Sequence, residues 1–301
     1  VSEPFPRLAV ADWQATRDTL HMWLQIVGKI RMVSSPAVNH YWHATLRVSA
    51  RGLSTGAFDA RAGLLDIEFD LIAHRLGIRC SDGREIALPL AGLSVADFYA
   101  AVFGALHELG VRPEIHASPN EVEVALPFAT DTVHATYVPE HAHAFWRQLI
   151  YAQRQLEAFR AEFRGKSSPV HFFWGALDLA VTRFSGRPAP AHPGGAPHCP
   201  DEVMRESYSD ELSSAGFWPG GGEEGAFYSY GYPVPAGFAS AVVPSEAFYS
   251  AELGEFLLPA ERVRTAADPD ELVREFLRAT ARAAAERGGW PDRVSPSAPR
   301  S

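Results

Sequence analysis

Two stretches far apart in this 301-residue chain open alike and then run into aromatic, alternating sequence. One is SSPAVNHYWHATLRVSARG, residues 34–52; the other is SSPVHFFWGALDLAVTRFSGR, residues 167–187. With Trp42 set on Trp174, Arg51 falls on Arg183. Each stretch follows apolar residues at helical spacing: Leu20, Trp23, Leu24 and Val27 before the first, Phe145, Leu149, Leu156 and Phe159 before the second. Each helix runs toward a Gly-Lys pair, Gly28-Lys29 and Gly165-Lys166. A chain patterned twice as helix then strands is confined to the α+β class. The expectation is an internal duplication: two helix–antiparallel strands–helix halves in one compact unit, with their sheets packed together or continuous.

The first half spans residues 11–138 and the second 139–290, after an N-terminal extension of residues 1–10 and before a disordered tail of 291–301. In the first half, LLDIEFDLIAH alternates cleanly, with Leu65, Ile67, Phe69 and Leu71 on one face. The SDG at 81–83 marks a hairpin turn. Ser94 with Asp97 predicts a capped helix start, and the segments RPEIHASPNEVEVALPF and TDTVHATYV add further strands. Pro139-Glu140 opens the next helix, and Asp268-Pro269 opens the last, which Gly288 stops. Residues 186–225 form a Pro/Gly-rich loop with a short helix between Pro200 and Glu211. Loops of that length are often lids or binding loops.

The aligned strands carry the chemical argument. Alternation puts Trp174, Ala176, Asp178 and Ala180 on one face, so Asp178 stands where the first copy has Leu46. A buried carboxylate must find donors or take up a proton. Either Asp178 pins two elements together, or its face lines a pocket in which it orients a histidine, His171 first, as acid or base. Arg183 or Lys166 would hold an anionic substrate group, and Glu206 would be a second carboxylate. His192, Tyr208 and Trp218 from the long loop, with Lys29, complete the expected substrate site. Gly175 offers a bulge that would re-aim one side chain.

A rival reading uses the histidines as metal ligands. His40 and His43 in NHYWH, with His74, would hold a divalent ion. Against it, His43, Arg47, Asp66, Glu68 and Asp70 read equally as a charged cross-strand ladder. A third reading is a non-catalytic ligand-binding or interaction protein.

Several classes are excluded as expectations. The formal net charge of −9 argues against nucleic acid as a partner. No run approaches the length of a membrane span, and the N-terminus lacks a secretory signal. Two cysteines, Cys80 and Cys199, provide no disulfide framework, which makes a cytoplasmic location the expectation. No Gly-rich nucleotide loop, Gly-x-Ser-x-Gly elbow or Cys-x-x-Cys is present, and HELG at 107–110 lacks the second histidine of a zinc-protease helix. The small-molecule partner is thus expected without a nucleotide cofactor. The sequence does not specify an oligomeric state.

The set TLHMWLQIVGKIRM, VNHYWHATLRVSARGL, IEFDLIAHRL, SSPVHFFWGALDLAVTRFSGR, AHPGG and SSAGFWPGGG resembles an uncharacterised bacterial family, domain of unknown function 5996. The resemblance covers roughly residues 11–290. It implies one shared architecture and a bacterial source, and it implies no activity and no catalytic residues.

Overall fold

The computed structural model describes residues 5–60, 63–220 and 222–291. Helix α1, Val10–Ser34, runs through the middle of the molecule. Every residue from Met22 to Ile30 is buried, and these include Gln25, Gly28 and Lys29. A helix covered on all sides must satisfy its polar side chains internally, and this sets up the site described below. Phe5 and Leu8, expected as part of an extension, are core residues, 3% and 5% exposed.

The first sheet follows a short 3-10 turn, Asn39–Tyr41. It comprises β1 Arg47–Val48, β2 Gly52–Ser54, β3 Phe58–Asp59, β4 Leu64–Asp70, β5 Arg75–Cys80 and β6 Glu85–Pro89. The order is β1-β2-β4-β5-β6, with β3 also on β4, and all pairs are antiparallel. Leu65, Ile67, Phe69 and Leu71 face the core as their alternation requires. The charged ladder forms from Asp66, Glu68 and Asp70 with Arg79 and Arg51. His43 and Arg47 stay outside it; Arg47 donates to the Val170 carbonyl at 3.1 Å. Helix α2, Val95–Glu108, starts on a capping box of Ser94 and Asp97.

Helix α3, Pro139–Ala161, leads into the second sheet: β7 His171–Phe173, β8 Asp178–Pro188, β9 Asp210–Trp218, β10 Ala226–Tyr232, β11 Phe248–Ser250 and β12 Glu255–Pro259. Short helix α4, Asp201–Ser207, precedes β9. Helices α5, Ala260–Thr265, and α6, Pro269–Arg287, end the fold. The order β11-β12-β10-β9-β8-β7 is antiparallel throughout. The two sheets meet edge to edge: Leu46 and Phe172 exchange both backbone hydrogen bonds, each 2.9 Å. The α+β class is therefore as expected, with two antiparallel sheets joined by this single bridge.

The residue alignment behind the expected duplication does not carry over. Ser34 is the last residue of α1, whereas Ser167 lies beyond the end of α3. Trp42 caps the 3-10 turn; Trp174 lies in the four-residue turn between β7 and β8. Arg51 sits in the β1–β2 turn while Arg183 lies inside β8. Leu46 and Asp178 are consequently not equivalent, and Gly175 makes a chain reversal rather than a bulge.

Two further expectations need correction. Residues 111–138 form no strand beyond the 3-10 turn Phe128–Thr130. Their backbone bonds to side chains of α1 instead of a ladder: Thr136 N–H donates to Thr19 at 3.1 Å, and Val138 N–H to Thr16 at 3.0 Å. The presumed loop 186–225 contains all of β9, a strand inside the sheet. Its small residues Ser213, Ser214, Ala215 and Gly216 hide that strand from propensity reasoning, because burial and not propensity holds it. The expected tail, residues 291–301, lies outside the described residues apart from residue 291.

Candidate functional site

Alternation splits the second sheet into a packed face and an open one. Leu179, Val181, Phe217, Phe227 and Leu258 are buried in the main core, toward α3 and α6. Asp178, Ala180, Thr182, Ser214, Trp218, Tyr228, Tyr230 and Glu255 line a cavity of about 890 Å³ on the other side. Its remaining walls come from the end of α1, residues 40–44, the stretch around Asn120, the β7–β8 turn and α4. The cavity therefore draws on residues from Lys29 to Glu255 and is not confined to the segment after residue 139, as was expected.

Asp178 is 8% exposed on the floor. The Tyr228 hydroxyl, two strands away, donates to its Oδ2. Tyr228 crosses β9 at Gly216, where any Cβ would overlap the Leu179 carbonyl and the Tyr228 phenol. Burial pushes the Asp178 carboxyl up to about 7, with Tyr228 opposing the rise and Glu121 adding to it. Burial raises Glu255 to about 7 as well, and Asp178 contributes. Tyr208 and Tyr230 share a hydroxyl–hydroxyl bond of 2.9 Å beside them. Aromatic walls thus enclose carboxyl groups that burial holds near half-protonation at neutral pH.

The opposite wall is built by α1. His21, Gln25 and Lys29 stand at i, i+4 and i+8, one face of the helix. His21 Nε2 meets the Trp174 and Gly175 carbonyls at 3.0 and 2.9 Å and fixes the β7–β8 turn. Gln25 makes a two-way bridge to the Asn120 backbone, 2.8 Å in each direction. Lys29, the last rung, donates to the Asn120 side chain and lies 5.6 Å from the Trp174 ring centre. Gly28 lets Trp174 close on the helix; a methyl at that position would overlap the indole. Burial lowers the Lys29 amine to about 8, against a smaller opposing effect of Cys199 and Glu121. Cys199 itself is raised to about 11 by burial, so its thiol stays protonated.

A roof of α4 and the 3-10 turn closes over these walls. The His40 N–H donates to Glu206 at 3.1 Å, and His40 Nδ1 faces the Glu206 and Ser207 carbonyls. Lys166 donates to His40 Nε2 at 2.8 Å and to Asp210 at 2.9 Å, with its ammonium 4.7 Å from the Phe184 ring centre. His192 stacks on Tyr208, ring centres 4.7 Å apart. Glu206, Lys166 and His192 thus hold the roof to the body, while Lys29, Tyr208 and Trp218 line the cavity.

Three sequence expectations fail here. His171 is fully buried, its Nδ1 3.1 Å from the Thr45 hydroxyl, and its ring packs edge-on against Phe173 without lining the cavity. Burial pulls it down to about 3, so it is neutral and makes no bond to Asp178. Arg183 points to the packed face: its guanidinium lies 3.4 Å from the Phe159 ring centre and donates to the Phe159 carbonyl. The turn at 174–177 and strand alternation together separate these two from Asp178. The histidine trio also disperses. His40 is under α4, His43 accepts from Val38 N–H at 3.2 Å, and His74 bonds the Tyr137 hydroxyl at 2.9 Å in the β4–β5 turn. Among the described residues no group of three or more His, Cys, Asp or Glu side chains is placed to hold a metal.

Backbone strain gathers at the same place. The described non-glycine residues with positive φ are His40, Tyr41, His74, Glu121, Leu177 and His198. All except His74 line the cavity or, as Leu177, adjoin Asp178. Such conformations cost about 1–3 kcal/mol each and collect at functional sites. Sequence reasoning passed over Glu121, Tyr228, Tyr230 and Glu255. Two signals were available: the polar His21-Gln25-Lys29 stripe on an apolar helix, and Tyr228, Tyr230 and Tyr232 alternating on one strand face.

A family model described as a family of unknown function (DUF5996) matches residues 5–295. No curated protein and no solved structure matches the chain.

Proposed function

Since this chain belongs to the family of unknown function DUF5996, membership brings no activity with it, and we propose from the cavity itself that the protein binds a small organic molecule and acts on it by proton transfer from Asp178. The observation that carries this is a desolvated carboxyl, hydrogen-bonded to Tyr228, on the floor of an aromatic cavity. Small-molecule sites typically enclose about 300–1,000 Å³, and this one falls inside that range. A general acid works best when its pKa lies near ambient pH. Burial brings Asp178 to about 7, so both protonation states are populated there. Asp178, expected to orient His171 as the acid or base, takes the acid role itself in this reading, with Tyr228 as the group that orients it. Trp174, Trp218 and Phe173 supply flat apolar contact for the ligand body.

A pooled metabolite mixture observed by NMR with and without protein tests this reading. The expected result is that some compounds broaden and some are consumed, and that Asp178→Asn stops consumption while broadening persists. Broadening without consumption would leave a non-catalytic binding protein. No broadening at all would remove the small-molecule reading.

A further inference from the structure

We propose that Lys29 is an imine-forming amine and that the molecule taken into the cavity carries an aldehyde or ketone. This rests on the cavity being a small-molecule site, as argued above. Of 27 basic residues in the chain only Lys29 and Lys166 are lysines, and both stand at this cavity, one in its wall and one at its roof. Elsewhere the chain uses arginine for positive charge. Arginine keeps its proton at any accessible pH and offers no free lone pair, whereas a buried lysine yields one.

The surroundings of the two lysines differ in the way nucleophilic chemistry requires. Lys166 is half-exposed and paired with the Asp210 carboxylate at 2.9 Å. Lys29 is 2% exposed, lies against Trp174, and has an amide rather than a carboxylate as its hydrogen-bond partner. A lysine desolvated in this manner presents more free amine at neutral pH, in keeping with its pKa of about 8. Glu121 lines the same cavity and acts on Lys29 electrostatically, and desolvation there raises its carboxyl. The arrangement Gln25–Asn120 fixes the backbone beside both groups.

The step balances without an external reagent. The Nζ lone pair adds to the carbonyl carbon, the C=O π pair moves to oxygen, and that oxygen takes a proton. The carbinolamine then loses its oxygen as water after a second protonation, for which Glu121 is the donor. Nitrogen sheds its remaining protons as the C=N bond forms. The net change is amine plus carbonyl giving imine plus water.

The probe is benzaldehyde with sodium cyanoborohydride, incubated with the full chain at pH 7 and followed by intact mass and peptide mapping. The reductant turns the imine into a stable benzylamine. Lys166 serves as an internal control in the same molecule. Lys29 is expected to acquire the benzyl group about tenfold faster than Lys166, and Lys29→Met is expected to lose that adduct with its thermal transition retained. Equal labelling of Lys29 and Lys166, or labelling of Lys166 alone, would overturn the proposal. Benzyl alcohol, which cannot form an imine, separates the two readings by quenching of tryptophan fluorescence. Quenching by the alcohol without Lys29 labelling by the aldehyde sinks the imine alone; neither quenching nor labelling sinks the small-molecule site with it.

Discussion

The Tyr228 hydroxyl donates to the Asp178 carboxyl across an intervening strand, passing over Gly216, which has no side chain to block it. A bond spanning β8 and β10 has no counterpart in the chain's local pattern. It holds the floor of the cavity and opposes the rise that burial imposes on its central carboxyl. The energetics of this pair are therefore the first thing to measure.

Replacing Asp178 by Asn keeps the shape and the acceptor oxygen but removes titration. The native carboxyl is raised to about 7 from an ordinary value of 3.8, so the folded state binds its proton more tightly than the unfolded one. Stability contributed by that proton is fully present below the unfolded value and is lost as pH rises toward 7. Asp178→Asn is thus expected to be more stable than the native protein at pH 8, by about 2–4 kcal/mol, and no more stable at pH 4. Urea unfolding at the two pH values checks this; a gain of equal size at both would contradict it.

Tyr228→Phe removes the donor and leaves the carboxyl buried. The expected cost is about 1–3 kcal/mol at pH 8, where Asp178 is charged, and less at pH 5, where it is protonated. The Asp178 carbon resonance should also titrate at higher pH in this variant, because Tyr228 is what restrains the rise.

Gly28→Ala inverts a familiar sign. Alanine in a helix interior normally stabilises by about 1 kcal/mol over glycine. Here its methyl would overlap the Trp174 ring, so the variant is expected to lose about 1–3 kcal/mol. Differential scanning calorimetry, with tryptophan emission to follow the displaced indole, tests the prediction.

His171 makes the fold sensitive to acid. Its folded pKa of about 3 lies below the ordinary 6.5, so its stabilising contribution is complete above 6.5 and declines as pH falls toward 3. The full window corresponds to about 3–5 kcal/mol. His171→Gln does not titrate and should show a shallower loss of stability between pH 6.5 and 4 in urea melts. An unchanged slope would place the acid sensitivity elsewhere.

Gln25→Ala strips the bridge to Asn120 and leaves a backbone N–H and C=O without their partners. A loss of about 2–4 kcal/mol is expected, with faster amide exchange at Asn120 as the local signature.

What the amino-acid sequence determined on its own was local. The apolar spacing of Leu20, Trp23, Leu24 and Val27 specified α1, the Ser94–Asp97 box started α2, and the alternation of Leu65 to Leu71 specified β4, because each signal acts within a turn or a strand. The burial of Asp178 was legible too, since a carboxylate inside an apolar run has few places to go. Its partner was not. The turn at residues 174–177 sends the chain back on itself, so His171 packs on Thr45, and alternation turns Arg183 under α3. Tyr228, Glu255, Lys29 and Glu121 reach one cavity only when two sheets join at Leu46 and Phe172 and the 111–138 segment is stitched along α1. Such contacts depend on side-chain bonds between residues far apart in the chain, and no spacing rule encodes those; tertiary packing alone decided them.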